Sequence, residues 1–194
     1  MITRDHRQTR SIATKFETRE DADGRHITGY FAVFGPTYNI APGLSESIAP
    51  GAFTRTLIEH PDVRALINHD TTLVVGRTKA STLTLREDDH GLFGDILINP
   101  KDQDAMNAWE RVNRGDVDQC SFGFDIVSEE TDFREDGSIH WTIKDVDLYE
   151  VSVCTFPAYE ATSVQAREHD AETVRRKRLE AWKIRMKEEL RHGN

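Results

Sequence analysis

The stretch QCSFGFDIV, residues 119–127, sets the pattern for the whole chain. Read as a strand, it puts Cys120, Phe122 and Phe124 on one face and Ser121 and Gly123 on the other. The apolar set faces a core, and the serine faces away from it beside a residue with no side chain. That gap would let a substrate backbone come close. SIHWTIKDV (138–146) and LYEVSVC (148–154) repeat the period of two, with REDG (134–137) as a turn between strands.

Working outward, SIATKFETR (11–19), HITGYFAVF (26–34), VRALIN (63–68), LVVGR (73–77), STLTLR (81–86) and LFGDILI (92–98) read as further strands. GPTYNIAPGLSESIA (35–49) holds two prolines and two glycines and reads as a long loop. PGAFTRTLIEH (50–60) reads as a short helix opening on Pro50. Asp102 caps a helix to about Arg114, stopped by Gly115, with Ala105, Met106, Trp109 and Val112 as its buried stripe. Regular helices do not separate the strands, which argues against a doubly wound parallel sheet. The expected fold is mainly β with helices (α+β): a closed or nearly closed barrel of about seven strands flanked by helices, since closure removes exposed edges.

Composition narrows the function. The net charge of −9 conceals an asymmetry: residues 166–194 hold nine Lys or Arg against six Asp or Glu, while the other 165 residues hold 16 against 28. An acidic body argues against nucleic acid as partner. No apolar run of about 18 residues exists, so no membrane span is expected. MITRDHRQTR (1–10) is polar and lacks the apolar stretch of a secretory signal. Two cysteines, Cys120 and Cys154, make no disulfide framework.

Three residues could carry chemistry. Ser121 is a nucleophile if a base adjoins it. His69, in Asn68-His69-Asp70 at the end of an apolar strand, has the near-neutral pKa of a general base. Glu150 sits inside the apolar strand 148–154, where a carboxylate needs a partner, and orienting an imidazole would supply one. Each also has an ordinary explanation: a surface serine, a histidine bonded to its own loop, a rim carboxylate in water or beside an arginine.

Taken together, the segments resemble the prohead proteases of tailed bacteriophages, whose fold is similar to the herpesvirus capsid-maturation protease. The resemblance covers roughly residues 26–165. It rests on Gly29-Tyr30-Phe31-Ala32-Val33-Phe34, Glu46-Ser47-Ile48, Pro50-Gly51-Ala52-Phe53, Asn68-His69-Asp70 and Gly76-Arg77. It continues through Asp89-His90-Gly91-Leu92, Ser121-Phe122-Gly123-Phe124, Glu150-Val151-Ser152-Val153 and Pro157-Ala158-Tyr159. It implies a serine endopeptidase without cofactor or metal, acting in the host cytoplasm inside the assembling procapsid. Its implied partners are the scaffold protein and the major capsid protein, which it would cut along with itself. In the family the histidine of Asn-His-Asp and the serine of Ser-Phe-Gly-Phe form the catalytic pair, here His69 and Ser121. The herpesvirus relatives take a second histidine from the strand after the nucleophile; here that strand holds none and offers Glu150, with Asp147 and Asp70 next in line. Strand alternation turns the Cys120 thiol to the other face.

Two other readings compete. One is a non-catalytic module that binds scaffold. The other is a metal-dependent hydrolase using His60, His69, Asp70 and His90, although no His-Glu-x-x-His spacing is present. The expected organisation is a protease domain over residues 1–165 and a charged helical tail over 166–194. The tail carries a narrow apolar stripe through Leu179, Trp182 and Met186 and the basic block RRKR (175–178), and reads either as a solvated terminal helix or as a docking segment, to which the resemblance adds removal by self-cleavage.

Overall fold

The computed structural model describes residues 8–13, 16–59, 62–156 and 161–192; side chains at 11–13, 161–166 and 191–192 lie outside the description. His60 and the Pro157-Ala158-Tyr159 segment of the sequence reading lie outside the described residues. Among the described residues, eleven strands form two sheets. The first has seven strands: β1 (Gln8–Ala13), β10 (Gln119–Phe133), β11 (Ile139–Cys154), β5 (Leu44–Ile48) and β4 (Tyr38–Ala41) in that order, with β6 (Arg64–Ile67) on β11 and β7 (Asp70–Arg77) on β6. The second has four, in the order β2 (Glu17–Asp21), β3 (Gly24–Val33), β9 (Gly91–Ile98) and β8 (Leu83–Glu87).

The α+β reading holds; in place of the expected closed or nearly closed barrel, pairing among the described residues runs within two sheets. The expected strand 11–19 is two strands, with β1 pairing β10 in one sheet and β2 pairing β3 in the other. Conversely, the expected strands 138–146 and 148–154 are one sixteen-residue strand, β11. Its first half pairs β5 in parallel and its second half pairs β6 in parallel, so one strand serves two neighbours along one edge. The expected loop 35–49 is largely the β4–β5 hairpin, turning at Gly43 with φ 73°. Proline and glycine mark the turn correctly; the residues beside them pair.

The core lies between the sheets. Phe122 and Phe124 of β10 stack at 4.8 Å, and Phe53 meets Phe122 edge-on at 5.6 Å. Phe31, Ile27, Ile96, Leu92, Val151 and Val153 surround them, all essentially without solvent exposure. Deleting an aromatic ring from such a cluster typically costs about 3–5 kcal/mol. The strand bearing Ser121 is therefore anchored through its even-numbered side chains.

Three α-helices and a short 3-10 turn (Thr78–Ala80) complete the described residues. α1 (Thr54–Glu59) begins four residues after Pro50 and is capped from a distance: Glu87 accepts hydrogen bonds from the backbone N–H of Gly51 and of Phe53. α2 (Gln103–Arg114) matches the sequence reading: the Asp102 carboxylate accepts from the N–H groups of Asp104 and Ala105, and Gly115 ends the helix at φ 82°. α3 (Ala161–His192) is the long charged helix. Its early part is docked, with Arg167, Asp170 and Ala171 buried. Leu179, Trp182, Ile184 and Leu190 farther along are at least half exposed. The expected boundary at 165/166 falls inside this helix.

Arg167 explains the docking. Its guanidinium donates to Glu46 at 2.8 Å and to Glu129 at 2.8 Å and lies 4.7 Å from the Trp141 ring centre. Glu46 also accepts from Arg10 on β1 through both carboxylate oxygens. Burial pushes the Glu46 pKa up, but the two guanidiniums outweigh it and hold the group down to about 2. A buried carboxylate between two arginines stays ionised and ties β1, β5 and α3 together.

Candidate active site

β10 and β11 carry the site because their register is antiparallel and matched. Ser121 lies opposite Ser152, and Gly123 opposite Glu150. All four project from the sheet face opposite the phenylalanines. β6 joins the other side of β11, and the turn that follows it swings His69 over this face.

That turn is a two-residue hairpin connection, since Ile67 pairs Asp70. Asn68 and His69 both occupy the left-handed region, at φ 51° and 61°, as a type I′ turn requires. Left-handed backbone costs a non-glycine residue roughly 1–2 kcal/mol, and the flanking residues hold it. The Asn68 N–H donates to the carbonyl of Val153 at 3.0 Å, and its side-chain oxygen accepts from the Thr155 N–H at 2.9 Å. Asp70 accepts from the Thr72 N–H and hydroxyl at 2.8 and 2.6 Å. The neighbours of the histidine thus shape the turn, and the histidine side chain reaches Glu150 on the sheet face.

His69 Nδ1 donates to Glu150 Oε1 at 2.7 Å. The other carboxylate oxygen accepts from the Ser152 hydroxyl at 2.6 Å, while Ser152 Oγ accepts from the His69 backbone N–H at 3.3 Å. Ser152 therefore links carboxylate and turn, a role the sequence reading missed although its spacing of two from Glu150 places it on the same face. Glu150 has 3% exposure and Ser152 none. Burial alone would lower the His69 pKa, but the neighbouring Cys154 thiol and the Glu150 carboxylate outweigh it and raise it to about 10. The carboxylate on Nδ1 fixes the ring orientation and leaves Nε2 as the nitrogen not bound to Glu150. Among the described residues Nε2 is buried with no hydrogen-bond partner.

Gly123 has a role different from the one expected. A Cβ there would overlap Glu150 Oε1 and sit 3.1 Å from its Cδ and Cγ. The space beside Ser121 holds the Glu150 carboxylate and not a substrate backbone.

Ser121 is fully buried, and its hydroxyl donates at 2.9 Å to the carbonyl oxygen of Arg10 on β1. The structure thus puts Ser121 in the strand beside the His69–Glu150 pair, with its hydroxyl turned to β1. Cys120 faces the core, its thiol 3.2 Å from the carbonyl of Tyr30. Asp147 is bound by Arg55 at 2.6 Å and Asp70 by Thr72, so neither reserve candidate is engaged by His69. His90 packs against the Tyr30 ring at 4.4 Å, remote in the fold from the His69 turn. Glu150 also lines an open cavity of about 250 Å3 together with Arg64, Leu66, Thr71, Val74 and Tyr149.

Comparison with known proteins bears on this arrangement. The chain is 30% identical over 152 residues to the prohead protease of Enterobacteria phage HK97, a match covering 77% of this chain and 64% of that one. No solved structure matches the chain. The family model described as caudovirus prohead serine protease matches residues 14–177, a span holding the Asn68-His69-Asp70 turn, the Ser121 strand and Glu150, and the chain belongs to that family.

Proposed function

We propose that this chain is a serine endopeptidase of capsid maturation, with Ser121 as nucleophile, His69 as base and Glu150 as the group that orients the base. The observation that carries the reading is the buried 2.7 Å bond between Glu150 and His69 Nδ1, on the sheet face that also bears Ser121. A carboxylate on Nδ1 fixes the ring, leaves Nε2 for the serine proton, and stabilises the imidazolium that forms.

In this mechanism His69 Nε2 takes the proton of Ser121 Oγ as Oγ bonds to the scissile carbonyl carbon. The tetrahedral adduct collapses by breaking the C–N bond, and His69 returns the proton to the leaving amine. A water then gives its proton to His69 and attacks the ester carbon, and the proton goes back to Ser121 Oγ as the acid departs. The cavity lined by Arg64, Leu66 and Val74 is suited to a substrate side chain. The substrates are the internal scaffold, the scaffolding segment of the major capsid protein and the chain itself, cut inside the procapsid in the host cytoplasm. Kinship of fold with the herpesvirus capsid-maturation protease belongs to the same reading.

The test is co-expression with the neighbouring capsid and scaffold genes and mass spectrometry of the products. Wild type should yield discrete cleavage products, and Ser121→Ala none. Uncut scaffold and capsid protein with wild type would leave a non-catalytic scaffold-binding module as the better account.

A further inference from the structure

The strand that bears Ser121 has two neighbours. One is β11. The other is β1, which runs antiparallel to β10 with Ser11 opposite Ser121. β1 ends the strand order of its sheet. The edge of β10 at the nucleophile is thus closed by six residues from the start of the same chain.

This is the place a substrate would need. An extended peptide reaches a strand edge by adding itself as another strand, with main-chain hydrogen bonds along its length. β1 does so already, and it presents a peptide carbonyl to the nucleophile: Ser121 donates to the Arg10 oxygen at 2.9 Å. Attack needs the carbon near Oγ and the oxygen turned toward separate donors. Here the oxygen itself receives the Ser121 proton, so the Arg10–Ser11 peptide is held in an unreactive pose. The rest of the site agrees. Ser121 has no exposure, and His69 Nε2 is buried without a hydrogen bond among the described residues.

We propose that β1 is a built-in occupant of the substrate's strand site: Gln8–Ala13 lies along β10 in place of a peptide, and substrate enters when β1 lets go. The inference rests on Ser121 being the nucleophile. The hold on β1 comes from the opposite face of the sheet, where the Arg10 side chain pairs with the buried Glu46 carboxylate. Glu46 is also paired by Arg167 of α3, so the strand and the tail helix share one anchor. Replacing Arg10 therefore loosens β1 without stranding a buried charge, because Glu46 keeps Arg167.

The experiment uses the full chain, an alkyl fluorophosphonate as probe, and hydrogen exchange read by mass spectrometry. In Arg10→Ala, amides of Gln8–Ala13 should exchange roughly tenfold faster than in wild type, and Ser121 should be labelled faster by a similar factor, since reactivity scales with the open fraction. Excess synthetic peptide QTRSIA should slow that labelling. Wild type provides a second reading that needs no variant. Once Ser121 is fully labelled, the phosphonyl group takes the space of the Arg10 carbonyl, and Gln8–Ala13 should lose protection. Labelling of Ser121 with unchanged protection of β1, or a released β1 with an unchanged labelling rate, overturns the proposal and leaves the nucleophile standing. Absence of labelling in Arg10→Ala with β1 released overturns both.

Discussion

Gly123→Ala adds one methyl group at the point where the strand glycine faces Glu150. The added carbon would overlap Oε1 and lie 3.1 Å from Cδ and Cγ, so the carboxylate must retreat by roughly 1 Å to reach ordinary contact distance. It has no slack, because one oxygen is 2.7 Å from His69 Nδ1 and the other 2.6 Å from Ser152 Oγ. Loss of a charge-assisted hydrogen bond costs about 1.5–3 kcal/mol. If that loss falls on the imidazolium formed in the transition state, kcat drops by roughly 10- to 100-fold. Overpacking lowers folding stability by about 1–3 kcal/mol as well. The assay is steady-state hydrolysis of a capsid-derived peptide beside urea unfolding of the same preparation. The two effects couple, so in a Glu150→Ala background the same methyl should cause almost no further loss of rate. A Gly123→Ala enzyme with normal kcat and a raised KM would refute this reasoning and return the glycine to the role of a substrate groove.

Other outcomes follow from the same geometry. Ser121→Ala should lower the rate by several powers of ten, on the order of 10⁴ or more, and Cys120→Ala should leave catalysis near normal because its thiol faces the core, both read by peptide hydrolysis. Activity should climb with pH from neutrality toward pH 9, because the imidazole must lose its proton to act and its pKa is raised to about 10; a rate flat across that range would exclude His69 as the base. The same raised pKa fixes a sign for stability. The His69–Glu150 pair contributes fully below the ordinary value of 6.5 and its contribution fades as pH rises toward about 10, so wild type should lose more stability over that interval than Glu150→Gln in parallel urea titrations. A chain ending at residue 165 loses Arg167 while Glu46 keeps Arg10, and should unfold about 1.5–3 kcal/mol more easily, whereas one ending at residue 178 keeps the contact and should match the full chain in urea.

How far the sequence reached depends on the range of the interaction. Alternation along 119–127 and 148–154 fixed the faces of Ser121, Cys120 and Glu150, because the period of a strand is local. The argument that a carboxylate in an apolar strand needs a partner led to Glu150, and the structure supplies His69 as that partner. The Asp102 cap and the Gly115 stop of α2 were legible for the same local reason. Pairing between distant segments was not. The residues of the β4–β5 hairpin look like loop because proline and glycine punctuate them, yet Leu44, Glu46 and Ile48 are buried against β11. Glu46 alternates with Leu44 and Ile48 on one strand face, but its arginines lie 36 and 121 residues away. Gly123 was correctly seen as a gap, and only the cross-strand register reveals that Glu150 fills it.

The most direct test of the account is site mapping of a fluorophosphonate adduct. The full chain is labelled to completion, digested and sequenced by tandem mass spectrometry, beside His69→Ala treated identically. The account predicts a single adduct on Ser121 in wild type and labelling slowed by orders of magnitude in His69→Ala. An adduct on Ser152 in place of Ser121, or Ser121 labelled equally fast without His69, would contradict it.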